Sequence, residues 1–252
     1  MTLTSIQSSL LKNFKHGFFT RQGGASQGIY KGLNCGLGSS DDAKLVLGNR
    51  RLIAQNMGAS INNVVSVHQT HSSKAIVCQK KFKIAPKADA LVTNTPGLLL
   101  SVLTADCQPI IFADQKNNVI GIAHAGWRGA LNGILPSTIN EMEFLGAERE
   151  QISAVIGPCI SKTAYEVGSE FFENFIGADE KNKRFFSFNS DTNKYHFDLP
   201  SFSLNILKDA KISSAEWTGH CTYSDPQNFF SYRRSCQKQE PDYGRLMSAI
   251  MI

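Results

Sequence analysis

Blocks of apolar residues, spaced either for a helix or for a strand, follow one another along the chain and predict its secondary structure. Residues 41–58 carry apolar side chains on one helical face, with acidic residues at the start and Gly58 at the end, which predicts a helix. Further helices are predicted over 127–147 (interrupted at Pro136), 166–177 and 200–211. Short runs rich in β-branched residues predict strands at about 61–67, 74–79, 90–93, 98–103 and 152–157.

Two hairpins are also predicted. The runs 109–114 and 118–125 flank a polar turn, QKNN, and a hairpin centred there pairs residues whose numbers sum to about 233. Cys107 then lies near Gly126, and His124 lies near Pro109. A second hairpin is predicted from 184–189 and 194–198, and closing strands from AEWTG, NFFSYRR and RLMSAIMI.

Strands and helices mix without a regular βαβ alternation, which predicts an α+β fold. No internal repeat, linker or low-complexity segment divides the chain. We therefore predict a single domain of mixed β-sheets with flanking helices over residues 1–252.

Composition narrows the class of protein. The chain has 252 residues, 42% hydrophobic and 19% charged, which suits a folded protein with a sizeable core. The net charge of +5 comes from scattered Lys and Arg without an RNA-binding aromatic motif, so nucleic acid is not an expected partner. No signal peptide is recognised at the N-terminus, and the longest apolar stretch, 97–105, is too short to span a bilayer. The expected location is the cytoplasm, where the six cysteines would be thiols or metal ligands.

Three residues carry the most specific chemistry. His71, Cys107 and His124 each follow an apolar run, in the contexts VVSVHQTHS, SVLTADCQPI and VIGIAHAGWRG. Brought together, they would form a three-ligand site for zinc, with copper as the alternative, and leave one coordination position open as in catalytic sites. An ion held there would lower the pKa of its bound water to about 7 and so serve deamination of a purine. Taken singly, each residue is more often a packed side chain than a ligand.

Other residues are candidates for substrate or proton handling. Asp106 is a candidate catalytic proton shuttle, provided that the chain turns there, since neighbouring strand residues face opposite ways. Arg21, in the glycine-rich segment TRQGG, and Arg128, after HAGW, are candidates for binding phosphate or another anion. For Asp106 the alternative is a turn or cap residue, and for Arg21 a surface side chain. His68 is expected to be a supporting residue or a non-ligand.

The chain resembles the YfiH/YlmD family in segments that occur in the same order from about residue 17 to the C-terminus. They are FFTRQGGASQGIYKGLNCG, HQTHS, TADCQPI, HAGWRG, GPCI, YEV and CTYSDPQNFFSYRR. Members of that family have been described as laccase-like multicopper polyphenol oxidases, as peptidoglycan editing factors and as purine nucleoside-metabolising enzymes. The resemblance implies zinc or copper at His71, Cys107 and His124, and a fold related to the catalytic domain of cytotoxic necrotizing factor.

The resemblance further implies an enzyme that acts on a small-molecule nucleoside and phosphate. The implied reactions are phosphorolysis of adenosine, inosine, guanosine and methylthioadenosine, with adenosine deamination as a second activity. Oligomeric state is not predicted.

Three alternatives remain open at this stage. A copper-dependent polyphenol oxidase would need a type-1 site and a trinuclear cluster, which six His residues hardly supply. A thiol hydrolase that edits peptidoglycan precursors would use Cys107 as nucleophile and His124 as base. A non-enzymatic metal-binding protein would turn over no nucleoside.

Overall fold

The structure is a computed structural model that describes residues 3–252. Its strands occur throughout the chain, most of them where apolar runs predict them. In chain order they are β1 (Ser5–Ile6), β2 (Lys15–Phe19), β3 (Val64–Val65), β4 (Ala75–Val77), β5 (Ala90–Thr93), β6 (Leu99–Thr104), β7 (Gln108–Asp114), β8 (Val119–Ala125), β9 (Ile152–Ile156), β10 (Glu166–Val167), β11 (Phe186–Asn189), β12 (Lys194–Phe197), β13 (Ser214–Trp217) and β14 (Leu246–Met251).

Six helices form within residues 3–252, and five of them match the four segments where helices are predicted. They are α1 (Ala43–Asn56), α2 (Trp127–Leu131), α3 (Ile134–Phe144), α4 (Ser169–Ala178), α5 (Leu199–Asp209) and α6 (Tyr232–Gln237).

Two predictions about these elements are wrong. The interruption predicted at Pro136 occurs instead at Gly133, whose φ of 93° ends α2 and starts α3. Pro136 lies in the first turn of α3, where the backbone N–H has no partner within the helix, so proline fits there. The strand predicted over 228–234 is an irregular segment followed by α6, which Ser231 caps by accepting a hydrogen bond from the Arg234 N–H.

The strands form three sheets, and the largest is buried on both faces. Its order is β13-β9-β7-β8-β5-β4. Along β7, Ile110 and Phe112 belong to one hydrophobic cluster, whereas Ile111 and Ala113 belong to another. Because successive side chains alternate between faces, a strand covered on both sides needs apolar residues at every position. This is why β7 and β8 occur in the sequence as continuous apolar runs.

The molecule is layered around this six-stranded sheet. One face packs against a five-stranded sheet of order β1-β2-β14-β6-β3, whose Val102 and Ile250 share a cluster with Ile111. The other face is covered by α3, α4, α5 and a three-stranded sheet of order β10-β12-β11. Helix α1 covers the outside of the five-stranded sheet, where Ile53 and Leu99 lie in one cluster. The predicted mixed sheets with flanking helices are confirmed.

The register of the first hairpin places the functional region. Pro109 pairs with His124 and Gln108 with Ala125, as the sequence predicts. The three residues 105–107 join β6 of the five-stranded sheet to β7 of the six-stranded sheet. Cys107 therefore lies where the chain crosses between the two sheets, beside the end of β8. Within residues 3–252 no helix is long and apolar enough to cross a membrane.

Candidate metal centre and its cleft

The side chains of His71, Cys107 and His124 converge at the crossing between the two large sheets. Their possible ligand atoms all lie within 4.8 Å of one another. Cys107 Sγ lies 3.8 Å from His71 Nε2, and the two imidazole rings meet edge to face with centroids 4.7 Å apart. The structure thus brings these three residues together, and the group could hold a metal ion.

Tight backbone turns aim two of these side chains. His71 lies in the irregular segment between β3 and β4 with φ of 59°, and Asp106, just before Cys107, has φ of 84°. Non-glycine residues adopt this left-handed region at a cost of about 1–3 kcal/mol, so the surrounding contacts must hold them there. His124, in contrast, belongs to the regular strand β8.

Asp89 holds the two histidines in place. Its buried carboxylate accepts hydrogen bonds from the backbone N–H groups of His71 (3.0 Å) and Ser72 (2.6 Å) and lies 2.8 Å from His124 Nδ1. The backbone N–H of His124 also donates to the Asp89 carbonyl at 2.7 Å. A carboxylate on Nδ1 leaves Nε2 of His124 free to face a metal, which is the usual arrangement around ligating histidines.

The electrostatics of the cluster favour a thiolate. Burial raises the pKa of Cys107, but His124 and His71 outweigh it and lower that pKa to about 6. Burial lowers the pKa of His124, whereas the Cys107 thiolate and Asp89 raise it to about 9. Burial would raise the pKa of Asp89, yet hydrogen bonds from His124 and Ser72 hold it well below its ordinary value. A thiolate is the form of cysteine that binds metals and attacks electrophiles.

The donor set fits zinc. Two imidazole nitrogens and one thiolate are common zinc ligands, and three protein ligands leave one position open. Around a tetrahedral zinc, nitrogen and sulfur ligand atoms lie about 3.5 Å apart, close to the 3.8 Å between Cys107 and His71.

Gly126 provides the room that this cluster needs. A Cβ at Gly126 would lie 2.9 Å from Cδ2 of His71 and 3.0 Å from Sγ of Cys107. A side chain at Gly126 would therefore crowd two of the three candidate ligands.

A cleft with two cavities opens at the cluster, and both cavities have His71, Ala105, Cys107 and Tyr243 in their walls. The larger, of about 720 Å³, is here named the aromatic arm, and its other wall residues include Trp127, Arg128, Tyr165, Phe171, Tyr232 and Arg233. The smaller, of about 470 Å³, is named the arginine arm, and its other wall residues include Arg50, Ser66, His68, Gln69 and Arg245. Both volumes are typical of small-molecule sites.

The structure brings one of the two predicted anion-binding arginines to the cleft. Arg128 lines the aromatic arm, with its guanidinium 4.7 Å from the centroid of Trp127. Arg21 lines neither arm. It donates to the carbonyls of Lys31 and Pro226 and lies 4.2 Å from the ring centroid of Phe230, so its contacts join distant segments of the chain.

Asp106 lies at a turn, as its candidate role requires, and it lines the aromatic arm. Its carboxylate accepts hydrogen bonds from Thr222 Oγ1 (2.6 Å), Ser231 Oγ (2.9 Å) and the backbone N–H of Arg233 (2.7 Å). Burial raises its pKa. These contacts fix the start of α6 against the cluster, and a catalytic role for Asp106 stays a prediction.

Sequence reasoning missed Asp89, Gly126 and the pair Arg50 and Arg245. Asp89 carried a usable signal, because a charged residue directly before the apolar strand ALVT needs a buried partner. Gly126 follows directly after β8, at the point where the chain must pass close to Cys107. Arg50 and Arg245 carried no local signal, since they lie almost two hundred residues apart and meet only in the fold.

Comparison with known proteins agrees with the fold. Residues 15–252 match the family described as multi-copper polyphenol oxidoreductase laccase. A purine nucleoside phosphorylase of Bacteroides thetaiotaomicron is 35% identical over 256 residues, 97% of this chain and 93% of the relative. An adenosine deaminase from an unidentified prokaryotic organism is 33% identical over 216 residues, 81% of this chain and 82% of the relative.

A solved structure is similar to this fold over the whole chain. The crystal structure of the hypothetical protein YfiH of Bacillus licheniformis superposes with a TM-score of 0.89 and 28% identity. It covers 100% of this chain and 96% of the other. The resemblance to the YfiH family inferred from the sequence motifs is confirmed.

Proposed function

The chain belongs to the family described as multi-copper polyphenol oxidoreductase laccase, and we propose that it is a zinc-dependent purine nucleoside phosphorylase with adenosine deaminase activity. The observation that carries this proposal is that His71, Cys107 and His124 meet at the junction of the aromatic arm and the arginine arm. The names of the relatives, a purine nucleoside phosphorylase and an adenosine deaminase, support both reactions. The proposed substrates are adenosine, inosine, guanosine and methylthioadenosine.

The aromatic arm suits a purine base. Trp127 and Phe171 both line this arm, with ring centroids 4.7 Å apart and planes tilted by 51°, so the arm offers aromatic side chains to a base. Arg128 lies over Trp127, and its guanidinium would be available to polar atoms of a base bound in this arm. The base would then lie beside the cluster, with the ribose at the junction of the arms.

The residues of the cluster have distinct proposed roles. His71, Cys107 and His124 hold the ion, and Asp89 fixes the tautomer of His124. When bound, zinc supplies Lewis-acid activation of water for deamination at neutral pH. Asp106 is proposed to move a proton or, through Ser231 and Arg233, to position the wall of the aromatic arm.

An activity screen with measured metal content tests the proposal. Purified protein is assayed on the four nucleosides with and without phosphate, and products are read by chromatography. We expect free base that depends on phosphate, and inosine from adenosine in its absence. Cys107→Ala should lose both the zinc and both activities. Full turnover by a metal-free Cys107→Ala protein, or no turnover of any nucleoside by zinc-loaded wild type, would refute the proposal.

One observation favours a second candidate, a thiol hydrolase acting on peptidoglycan precursors. Cys107, His124 and Asp89 form a chain of nucleophile, base and orienting carboxylate. The two candidates differ in the effect of zinc, because a bound ion would occupy the nucleophile. Alkylation of Cys107 at the same rate with and without zinc would favour the hydrolase.

The remaining predictions form part of this proposal. We propose one catalytic domain over residues 1–252, of which residues 1 and 2 lie outside the described part, and a cytoplasmic location. The partners are the nucleoside and phosphate, with no role for nucleic acid. A copper-dependent phenol oxidase is disfavoured because residues 3–252 hold one cluster of metal-ligating side chains, whereas such an enzyme uses separate copper sites.

A further inference from the structure

The two arms of the cleft differ in charge. The wall of the aromatic arm includes two acidic residues, Asp106 and Glu166, beside two arginines, Arg128 and Arg233, so its charges balance. Among the described residues, the wall of the arginine arm includes no Asp or Glu, although it includes the guanidinium groups of Arg50 and Arg245. Low-dielectric walls of one sign concentrate counter-ions of the other. The arginine arm is therefore the part of the cleft suited to a dianion.

Arg50 reaches this arm with much of its charge uncompensated. Its Nε donates to the carbonyl of Cys35 at 2.8 Å, and no carboxylate among residues 3–252 lies within ion-pair distance of it. Burial lowers its pKa. Arg50 is half-buried and has no carboxylate partner, so an anion bound in the arm would stabilise its guanidinium.

Arg245 is held in the same arm by the loop of residues 34–36. Its backbone N–H donates to Asn34 Oδ1, and its carbonyl accepts from the Cys35 N–H, both at 2.9 Å. Its side chain lies directly over Gly36, where a Cβ would come within 2.8 Å of Cδ. Nη1 donates to the Tyr243 carbonyl at 3.1 Å, and Nη2 lies 3.8 Å from Asp242, which is outside the wall of the arm.

Residues 34–36 thus fix two arginines from distant parts of the chain, one on α1 and one before β14, at one cavity. Two guanidinium groups with fixed backbones are the usual protein receptor for a phosphate group. The cavity ends at His71, Cys107 and His124, where the proposed reaction takes place.

We propose that the arginine arm binds inorganic phosphate through Arg50 and Arg245 and delivers it to the ribose beside the metal cluster. This assignment rests on the proposed phosphorolysis. A phosphate oxygen forms the new bond to the anomeric carbon while the bond from that carbon to the purine nitrogen breaks. The electron pair leaves with the purine, and the proton of hydrogen phosphate ends on the base. The products are ribose 1-phosphate and the free purine.

Kinetics with matched variants test the assignment in the zinc-loaded full chain. In Arg50→Gln and Arg245→Gln, the KM for phosphate should rise about ten- to one-hundred-fold, because each removes charge-assisted hydrogen bonds. The KM for the nucleoside should change far less. Arg51→Gln, the same change at the exposed neighbour on α1, is the control and should leave both values as in wild type. Arg50→Lys and Arg245→Lys should lie between, since lysine keeps the charge but loses the fork.

Phosphate binding without turnover separates this assignment from the proposed function. Inorganic phosphate should raise the Tm of zinc-loaded wild type, and the shift should be lost in either Gln variant at unchanged zinc content. Wild type that releases no base but shows this arginine-dependent shift would refute phosphorolysis and still support the phosphate site.

Two results would overturn the assignment. One is active wild type whose KM for phosphate is unchanged in both Gln variants. The other is adenosine monophosphate binding more tightly than adenosine through Arg50 and Arg245, with no effect of inorganic phosphate, because the arm would then hold a nucleotide's phosphate ester. If the two Gln variants fail to fold, the KM for phosphate of Arg50→Lys and Arg245→Lys and the Tm shift of wild type decide between these outcomes.

Discussion

Both arms of the cleft have His71 and Cys107 in their walls, but the fold builds the two arms differently. The aromatic arm is lined by Trp127 from α2 and Phe171 from α4, which also pack into the core beyond the six-stranded sheet. The arginine arm is lined by Arg50 and Arg245, which a loop holds by backbone hydrogen bonds. Under the proposed function, the aromatic arm would hold the purine base and the arginine arm the phosphate.

The largest expected effect comes from a change at the junction of the two arms, because such a change should impair both proposed reactions together. Gly126→Ala places a Cβ within 3.0 Å of Cys107 Sγ and displaces the candidate ligands. We expect zinc affinity to fall about ten- to one-hundred-fold or more, as for other changes that disturb ligand orientation, and both reactions to fall together. Competition with a chromophoric chelator measures the affinity.

The control for this change is Gly177→Ala. Gly177 lies on α4, and a Cβ there would meet no atom within 4 Å. Zinc affinity and activity should stay as in wild type. Equal zinc affinity in Gly126→Ala and wild type would show that the ion, if bound, is not held at this cluster.

A smaller effect should appear on one arm alone. Trp127→Ala removes the stacking surface of the aromatic arm, and the KM for adenosine should rise about ten-fold, since base stacking on an aromatic side chain is worth about 1–3 kcal/mol. The KM for phosphate should change little. Steady-state kinetics with each substrate varied in turn makes the measurement.

Trp127→Phe tests whether the loss of stacking or the loss of side-chain volume raises the KM for adenosine. It keeps a ring against Phe171 and should recover most of the affinity for adenosine. Equal increases in both KM values for Trp127→Ala would contradict a division of the cleft between base and anion.

The smallest effect concerns the protonation state of the Cys107 thiol at the junction. Because the pKa of Cys107 is lowered to about 6, its thiolate persists as pH falls from 8 to 6, whereas an ordinary thiol is mostly protonated below pH of about 8.5. In metal-free protein, the rate of Cys107 alkylation by iodoacetamide should therefore fall only near and below pH 6. Peptide mapping by mass spectrometry measures it, with the exposed Cys236 as a reference in the same digest. A midpoint above pH 8 would show that His124 and His71 do not stabilise the thiolate.

Much of the fold could be predicted from local patterns. Helix α1 lies within its predicted range, and the hairpin of β7 and β8 has the predicted register, because continuous apolar runs separated by a polar turn permit few pairings. The strand predicted over 228–234 does not form, because its residues make other contacts. Phe229 and Phe230 pack in a small cluster of their own, and Ser231 caps α6 and donates to Asp106.

The chemistry of the candidate site was only partly predictable. His71, Cys107 and His124 stood out because His and Cys are rare at the ends of apolar runs, and two of them share one hairpin. The glycine-rich context of Arg21 resembles an anion-binding loop, and in the structure its guanidinium donates to the backbone carbonyls of Lys31 and Pro226.

The sequence by itself determined the strands, most of the helices, the hairpin register and the identity of three candidate ligands. These depend on alternation, turn chemistry and residue type, which act over a few neighbouring positions. The tertiary structure alone decided that His71 reaches the hairpin, that Asp89 orients His124 and that Arg50 and Arg245 share a cavity. Those contacts join residues distant in sequence, and their geometry follows from how two sheets pack and where the segment 105–107 crosses between them.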